Sequence, residues 1–320
     1  MAPYFHMVSD GEVAHVSGLY KFRTVRQFKS DMEFFLKFYS PISLQDVIDH
    51  LEGIRRLPKR CFLPTFDDGF REIADVVAPI LQAQGIPAAF FLTTSVVDNR
   101  GLCCSAKQSL LIRALSSLAD SPALGQASQI LTNAGVAGVD LPARIRKVSY
   151  RQRHVLDALA PILGCDFAEY AASVEPYVTS GQVRALMKQG FAIGAHSVDH
   201  PLYSELSLEE QLIQTRESVR WLSDRFQYEC QAFAFPYTDN GVSLGFFRNA
   251  FGDGRLKVSF GTAGLRRHLF PRNLERFTME KTDRRAVETL AREFGINVLS
   301  RVSGGNEPPG RRTELPSAVT

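Results

Sequence analysis

Cysteine is scarce in this chain, and what there is shows no pattern. Cys61, Cys103, Cys104, Cys165 and Cys230 are odd in number and include no Cys-x-x-Cys spacing. That argues against a disulfide framework and for reduced thiols in a cytoplasmic protein. Charge of one sign is equally scarce. The net charge is +3 and no long basic run occurs, so neither nucleic acid nor an anionic membrane is implied as a partner. The first ten residues contain no basic stretch followed by an apolar one, so no signal peptide is visible. Residues 76–97 carry no charge, but Gln82, Gln84, Gly85 and Pro87 cut that stretch into a helix, a turn and a strand, which excludes an integral membrane segment. No internal repeat is present.

What is present is a core-forming chain of 320 residues, 45% of them hydrophobic, enough for one barrel-sized domain or two smaller ones. Seven runs read as strands: 4–8, 61–66, 88–94, 191–196, 231–237, 256–262 and 274–279. Between several of them lie helical stripes. Ile73, Val76, Val77, Ile80 and Leu81 form one, ended by Gly85 and Pro87. Ser207 and Glu210 form a capping box for another. Alternation of this kind predicts an α/β fold with a parallel sheet or barrel, whose site lies at the C-terminal strand ends.

From about residue 100 to 180 the pattern turns helical, over 110–119, 127–134, 150–163 and 167–174. The expected organisation is a barrel in two parts, 1–99 and 181–300, a helical insertion at 100–180 and a disordered tail at 301–320, rich in Gly and Pro. The insertion reads either as a wall beside the barrel mouth or as packing with no role toward substrate. Its Arg144, Arg146, Lys147, Arg151 and Arg153 read either as a solvated face or as a phosphate- or nucleotide-binding group.

Two short segments carry chemistry. In Thr65-Phe66-Asp67-Asp68-Gly69-Phe70 an apolar run ends in paired carboxylates. Adjacent Asp residues repel unless a cation or a proton separates their roles, which suggests one carboxylate on a metal and its neighbour free as a base. The second segment is His196-Ser197-Val198-Asp199-His200, whose imidazoles at i and i+4 can converge on one ion. Either segment alone is more often a polar turn or chance. Together, each after a strand-like run, they supply two imidazoles and a carboxylate, the ligand set of a hydrolytic zinc-type centre.

With these two motifs the chain resembles the polysaccharide deacetylase family, carbohydrate esterase family 4, also called the NodB-homology domain. A third motif of that family, Arg-x-Pro-Tyr/Phe, is partly matched by Ala234-Phe235-Pro236-Tyr237. The resemblance spans roughly residues 60 to 280 and implies a distorted (β/α) barrel of about seven strands. It implies Asp67 as general base and Asp68, His196 and His200 as ligands of a divalent metal, zinc first, with cobalt, nickel or manganese as alternatives. The backbone N–H of Tyr237 is implied as an oxyanion donor. Thr65 and Ser197 read as supports for these groups or as plain strand and turn residues, and Asp199 as facing away.

The chain departs from the family twice. Ala234 stands where an arginine usually orients the base, and Arg272 or Arg276 is the candidate replacement. Leu274-Glu275-Arg276 stands where a Leu-x-His usually supplies the general acid, leaving His268 and His6 as candidates. The implied activity is removal of an N-acetyl (or N-formyl) group from an amino sugar that is nucleotide-linked, lipid-linked or glycosidic. The alternatives are hydrolysis of a non-sugar amide or cyclic imide, and a catalytically inactive carbohydrate-binding protein. Nothing in the chain fixes the sugar, the metal or the oligomeric state.

Overall fold

The computed structural model describes residues 1–118, 121–280 and 284–302. Ten strands are β1 (Pro3–Phe5), β2 (Ser40–Pro41), β3 (Cys61–Phe62), β4 (Thr65–Phe66), β5 (Ala89–Leu92), β6 (Ala192–Ala195), β7 (Ala232–Ala234), β8 (Val258–Gly261), β9 (Asn273–Glu275) and β10 (Phe277–Thr278). Eight form one sheet in the order β10-β1-β4-β5-β6-β7-β8-β9, and every pairing in it is parallel. The sheet's two edges, β9 and β10, are consecutive in the chain and separated only by Arg276. One interrupted strand therefore closes the sheet into a distorted barrel of seven staves.

The seven sequence runs each overlap a strand, the first only at residues 4–5, and two of them are broken. Over 61–66 the break falls at Leu63-Pro64, since Pro64 has no N–H for a ladder. Cys61–Phe62 accordingly pairs with Ser40–Pro41 in a separate small sheet. Over 274–279 the break is Arg276, whose N–H goes to the Gly261 carbonyl while the next residue pairs with β1.

Side chains alternate along the strands between two apolar clusters. Phe5, Phe66, Phe90, Leu92, Ile193, Ala195 and Phe233 face the helical layer, where Phe28, Phe35, Val77, Leu81 and Leu222 meet them. Ala89, Phe91, Ala232, Ala234, Val258 and Phe260 form the interior set, joined by Val47 and Ile48 of the helix Leu44–Leu51. The helix Leu208–Phe226 begins at the Ser207/Glu210 capping box.

Residues 104–174 form a further group of helices: Cys104–Ala114, Pro122–Asn133, Leu141–Arg146, His154–Leu159 and Phe167–Val174. They enclose a core of their own, with Leu111, Leu131, Ile145, Leu156 and Leu159 buried. The expected helix over 110–119 ends in a 3₁₀ turn at Leu115–Ser117, and Ala119 lies outside the described residues. The last helix runs Ala286–Val302, and the tail expected to be disordered lies, from Ser303 on, outside the described residues. Among the described residues no helix is long and apolar enough to cross a membrane.

Candidate metal centre

Parallel strands leave all their C-terminal ends on one rim. Asp67 and Asp68 follow β4, His196 follows β6, and Phe235-Pro236-Tyr237 follows β7. The Asp67 N–H donates to the Phe5 carbonyl, extending the β1–β4 ladder by one residue. The chain then turns through the left-handed region at Asp68 (φ 71°) and Gly69 (φ 78°). Among the described residues eight non-glycine positions have positive φ, and four of them, Asp68, Ser197, His200 and Tyr237, belong to this rim. Such conformations are held only where surrounding contacts over-determine them, and they concentrate at functional sites.

Asp68, His196 and His200 are brought together. The Asp68 Oδ1 lies 3.3 Å from the His196 Nε2 and 3.0 Å from the His200 Nε2. His196 Nδ1 donates to the Ala234 carbonyl at 2.8 Å, which directs the lone pair of its Nε2 at the carboxylate. His200 is placed by its own N–H, donated to Ser197 Oγ at 3.0 Å, and by the Tyr237 ring 4.6 Å away. Asp199, between the two histidines, faces away to Tyr150 and Gln214.

All three side chains are buried, and Asp68 Oδ1 has no hydrogen-bond partner among the described residues. Two imidazole nitrogens and a carboxylate oxygen, mutually within 4.8 Å, are a donor set that a divalent ion of zinc type would satisfy. Burial alone pushes the Asp68 carboxyl up, but His200 and His196 outweigh it and hold it well below the carboxylate range.

Asp67 turns the other way. Its two oxygens accept a bidentate pair from Arg276 Nη1 and Nη2, each at 2.7 Å. Arg276 also donates to Thr65 Oγ1 and to the Gly261 carbonyl, and its guanidinium lies over the rings of Tyr4 and Phe91. Of the two candidate replacements for the missing arginine, Arg276 reaches the aspartate. Arg272 instead donates to the Lys257 carbonyl. Burial raises the Asp67 pKa, and the charge and hydrogen bonds of Arg276, with the charges of His196 and His6, together more than reverse that, leaving it below the usual value.

The two histidines considered as acids have different surroundings. His6 follows β1, beside β4, and its Nδ1 lies 2.6 Å from Glu280 Oε2. The other oxygen of Glu280 accepts the N–H groups of His6 and Met7, both at 2.8 Å. Burial would lower the His6 pKa, but Glu280, with help from Asp68 and Asp67, raises it to about 9. Glu280 was not singled out by sequence, although it lies two residues beyond β10, which pairs with β1. His268 accepts the Phe270 N–H at Nδ1, stacks near Phe247, and places its Nε2 3.6 Å from Asp239 Oδ2. With Asp239 and Glu275 it forms a second group of possible ligand atoms.

The Tyr237 ring is half exposed, and its backbone N–H makes no hydrogen bond among the described residues. The adjoining Thr238 N–H is turned back to the Pro236 carbonyl.

No curated protein matches the chain. Solved structures do, at low identity. The Streptococcus pyogenes deacetylase PplD, in complex with acetate, shares 13% identity with a TM-score of 0.57, over 91% of this chain and 96% of that one. IcaB from Ammonifex degensii shares 14% at 0.53, over 96% of each chain. A de-N-acetylase from Aggregatibacter actinomycetemcomitans shares 16% at 0.57, over 91% of this chain and 98% of that one. These likenesses establish the barrel fold. A family model described as polysaccharide deacetylase matches residues 55–245, which take in both motifs and Tyr237. The chain belongs to the polysaccharide deacetylase family.

Proposed function

We propose that this family member is a metal-dependent hydrolase that removes an N-acetyl group from an amino sugar. One observation carries the reading: Asp68, His196 and His200 converge on one side of the Asp-Asp pair, while Arg276 grips Asp67 on the other. Bound to the triad, a divalent ion, zinc first and cobalt, nickel or manganese as alternatives, would polarise the acyl oxygen and lower the pKa of water from about 15.7 toward ~7.

The chain's own residues supply the rest. Asp67, kept ionised and oriented by Arg276, takes a proton from the attacking water. The Tyr237 N–H donates to the oxyanion as the carbonyl becomes tetrahedral, a contact worth about 3 kcal/mol. The departing amine needs a proton. His6 is the better-supported donor, because it is protonated at neutral pH and feels the charges of Asp68 and Asp67. His268 is the rival, held by Asp239.

Arg276 answers the missing arginine at position 234, which with the missing late histidine is the reason for considering an inactive carbohydrate-binding protein. The five unpaired cysteines support a cytoplasmic setting and hence a nucleotide-linked, lipid-linked or glycosidic amino sugar.

The test is acetate release from such sugars, with the protein stripped and reloaded with each metal. Asp67→Asn is expected to lower kcat by about 10²–10⁴-fold with metal stoichiometry unchanged. His196→Ala is expected to lose both. Release that survives Asp67→Asn would remove the reading, and release only from non-sugar amides would move the substrate to that class.

A further inference from the structure

The helical segment contributes to the site. Of its five clustered cations, three are engaged elsewhere. Arg144 donates to the Val136 carbonyl, Ser128 and Thr132, Arg151 pairs with Glu210, and Arg153 lies on the Tyr150 ring. Arg146 and Lys147 remain exposed. Arg146 gives one N–H to the Gly18 carbonyl, and Lys147 makes no ion pair among the described residues.

Both line a cleft of about 270 Å³ whose other lining residues include His200 and Tyr237. A candidate metal ligand, a candidate oxyanion donor and a pair of cations thus line one cleft. The volume is at the small end of the ~300–1,000 Å³ range of ligand sites, room for one sugar ring or its substituent rather than an oligomer. Glu205 also lines the cleft, but its Oε2 accepts the Tyr150 N–H.

Resting on the deacetylase reading above, we propose that Arg146 and Lys147 select an amino sugar bearing an oxyanion, a phosphate ester or the carboxylate of an adjoining uronate, next to the acetylated ring. Two cations beside a cleft with low-dielectric walls raise the local concentration of such a group and fix its orientation. They touch the substituent and not the reacting amide, so their effect belongs in KM.

The test compares zinc-loaded protein on three probes: N-acetylglucosamine 1-phosphate, an N-acetylglucosamine–glucuronate disaccharide and a neutral N-acetylglucosamine trimer. Lys147→Glu is expected to raise KM about tenfold or more for the anionic probe that is used, with kcat unchanged and the neutral trimer altered less than roughly twofold. Arg146→Ala should act in the same direction, and added salt should erode the preference. The phosphate and uronate probes distinguish the two sources of the anion. Equal effects on neutral and anionic probes, or none on either, would overturn this inference and leave the deacetylase reading standing. If no probe releases acetate, the deacetylase reading fails. Calorimetric binding then decides the selectivity: anionic sugars should bind more weakly to Lys147→Glu, and unchanged affinity overturns it.

Discussion

Arg276 carries more of the site than any residue the motifs name. It is fully buried, forked onto Asp67, and enclosed by Tyr4, Phe91 and Phe260. Removing one member of a buried pair strands the other, at a cost of about 3–5 kcal/mol. Arg276→Met should therefore lower the unfolding midpoint. It should also raise the Asp67 pKa, because burial continues to push upward once the opposing charge is gone. Asp67 contributes stability above its unfolded pKa that is lost as pH falls through the lower folded one, and the variant loses that acid tolerance. The acid limb of kcat/KM should move to higher pH, and a limb that stays in place would detach Arg276 from the base. His6 has the opposite sign. Its pKa of about 9 exceeds the unfolded value of about 6.5, so its contribution is complete below the latter and lost as pH rises through the former. In Glu280→Gln the His6 pKa should fall toward its ordinary value, carrying the alkaline limb of activity to lower pH. If only His268→Ala moves that limb, the acid is His268. Asp67, Asp68, His196 and His200 were legible because each pair forms a compact motif that follows a strand-like run. Arg272 and Arg276 were not separable, since the choice depends on which side chain points inward where the chain passes from β9, paired with β8, to β10, paired with β1. Glu280 carried no motif at all.

Strands and their breaks set where these residues stand. The seven runs were legible from apolar composition, and the helix at 208–226 from its cap. The two breaks were not: Pro64 forbids a ladder hydrogen bond but does not say which sheet each half joins, and nothing local marks Arg276 as the point where the strand changes neighbours. Inside the barrel, close approach is the constraint. A Cβ on Gly194 in β6 would lie 2.5 Å from Cε1 of Phe91 and 3.1 Å from the Ala232 carbonyl. Phe91 in turn lies under Arg276. Gly194→Val is therefore expected to cost about 1–3 kcal/mol by overpacking and to lower kcat through displacement of the arginine, with the metal ligands still able to bind. Unfolding midpoint and zinc stoichiometry measured together check this. Loss of zinc at unchanged stability would place the disturbance at His196 instead.

At the scale of the whole molecule, the helical segment packs on the barrel through a shared apolar cluster, in which Ala106, Leu110 and Ala171 meet Met7, Val13, Val16 and Phe70. Its first helix, Cys104–Ala114, meets the loop after β1 at Gly18, where a Cβ would stand 2.6 Å from the Ser109 carbonyl oxygen. Ser109 Oγ donates to the Ala14 carbonyl and accepts the Gly18 N–H, and Arg146 binds the Gly18 carbonyl. Besides that shared cluster the segment encloses a core of its own, around Leu111, Leu131, Ile145 and Leu156, so it can hold its own helices while the contact at Gly18 loosens. Gly18→Val should force the two surfaces apart by more than a side-chain adjustment can absorb, since the opposing atoms are backbone. The expected result is faster amide exchange across Cys104–Ala114 and Leu141–Arg146, a raised KM for anionic substrate, and unchanged zinc stoichiometry, because Asp68, His196 and His200 all come from barrel strand ends. Unchanged exchange in those helices would mean that the segment is held elsewhere. Faster exchange with an unchanged KM would make it packing alone, the other reading its sequence allowed.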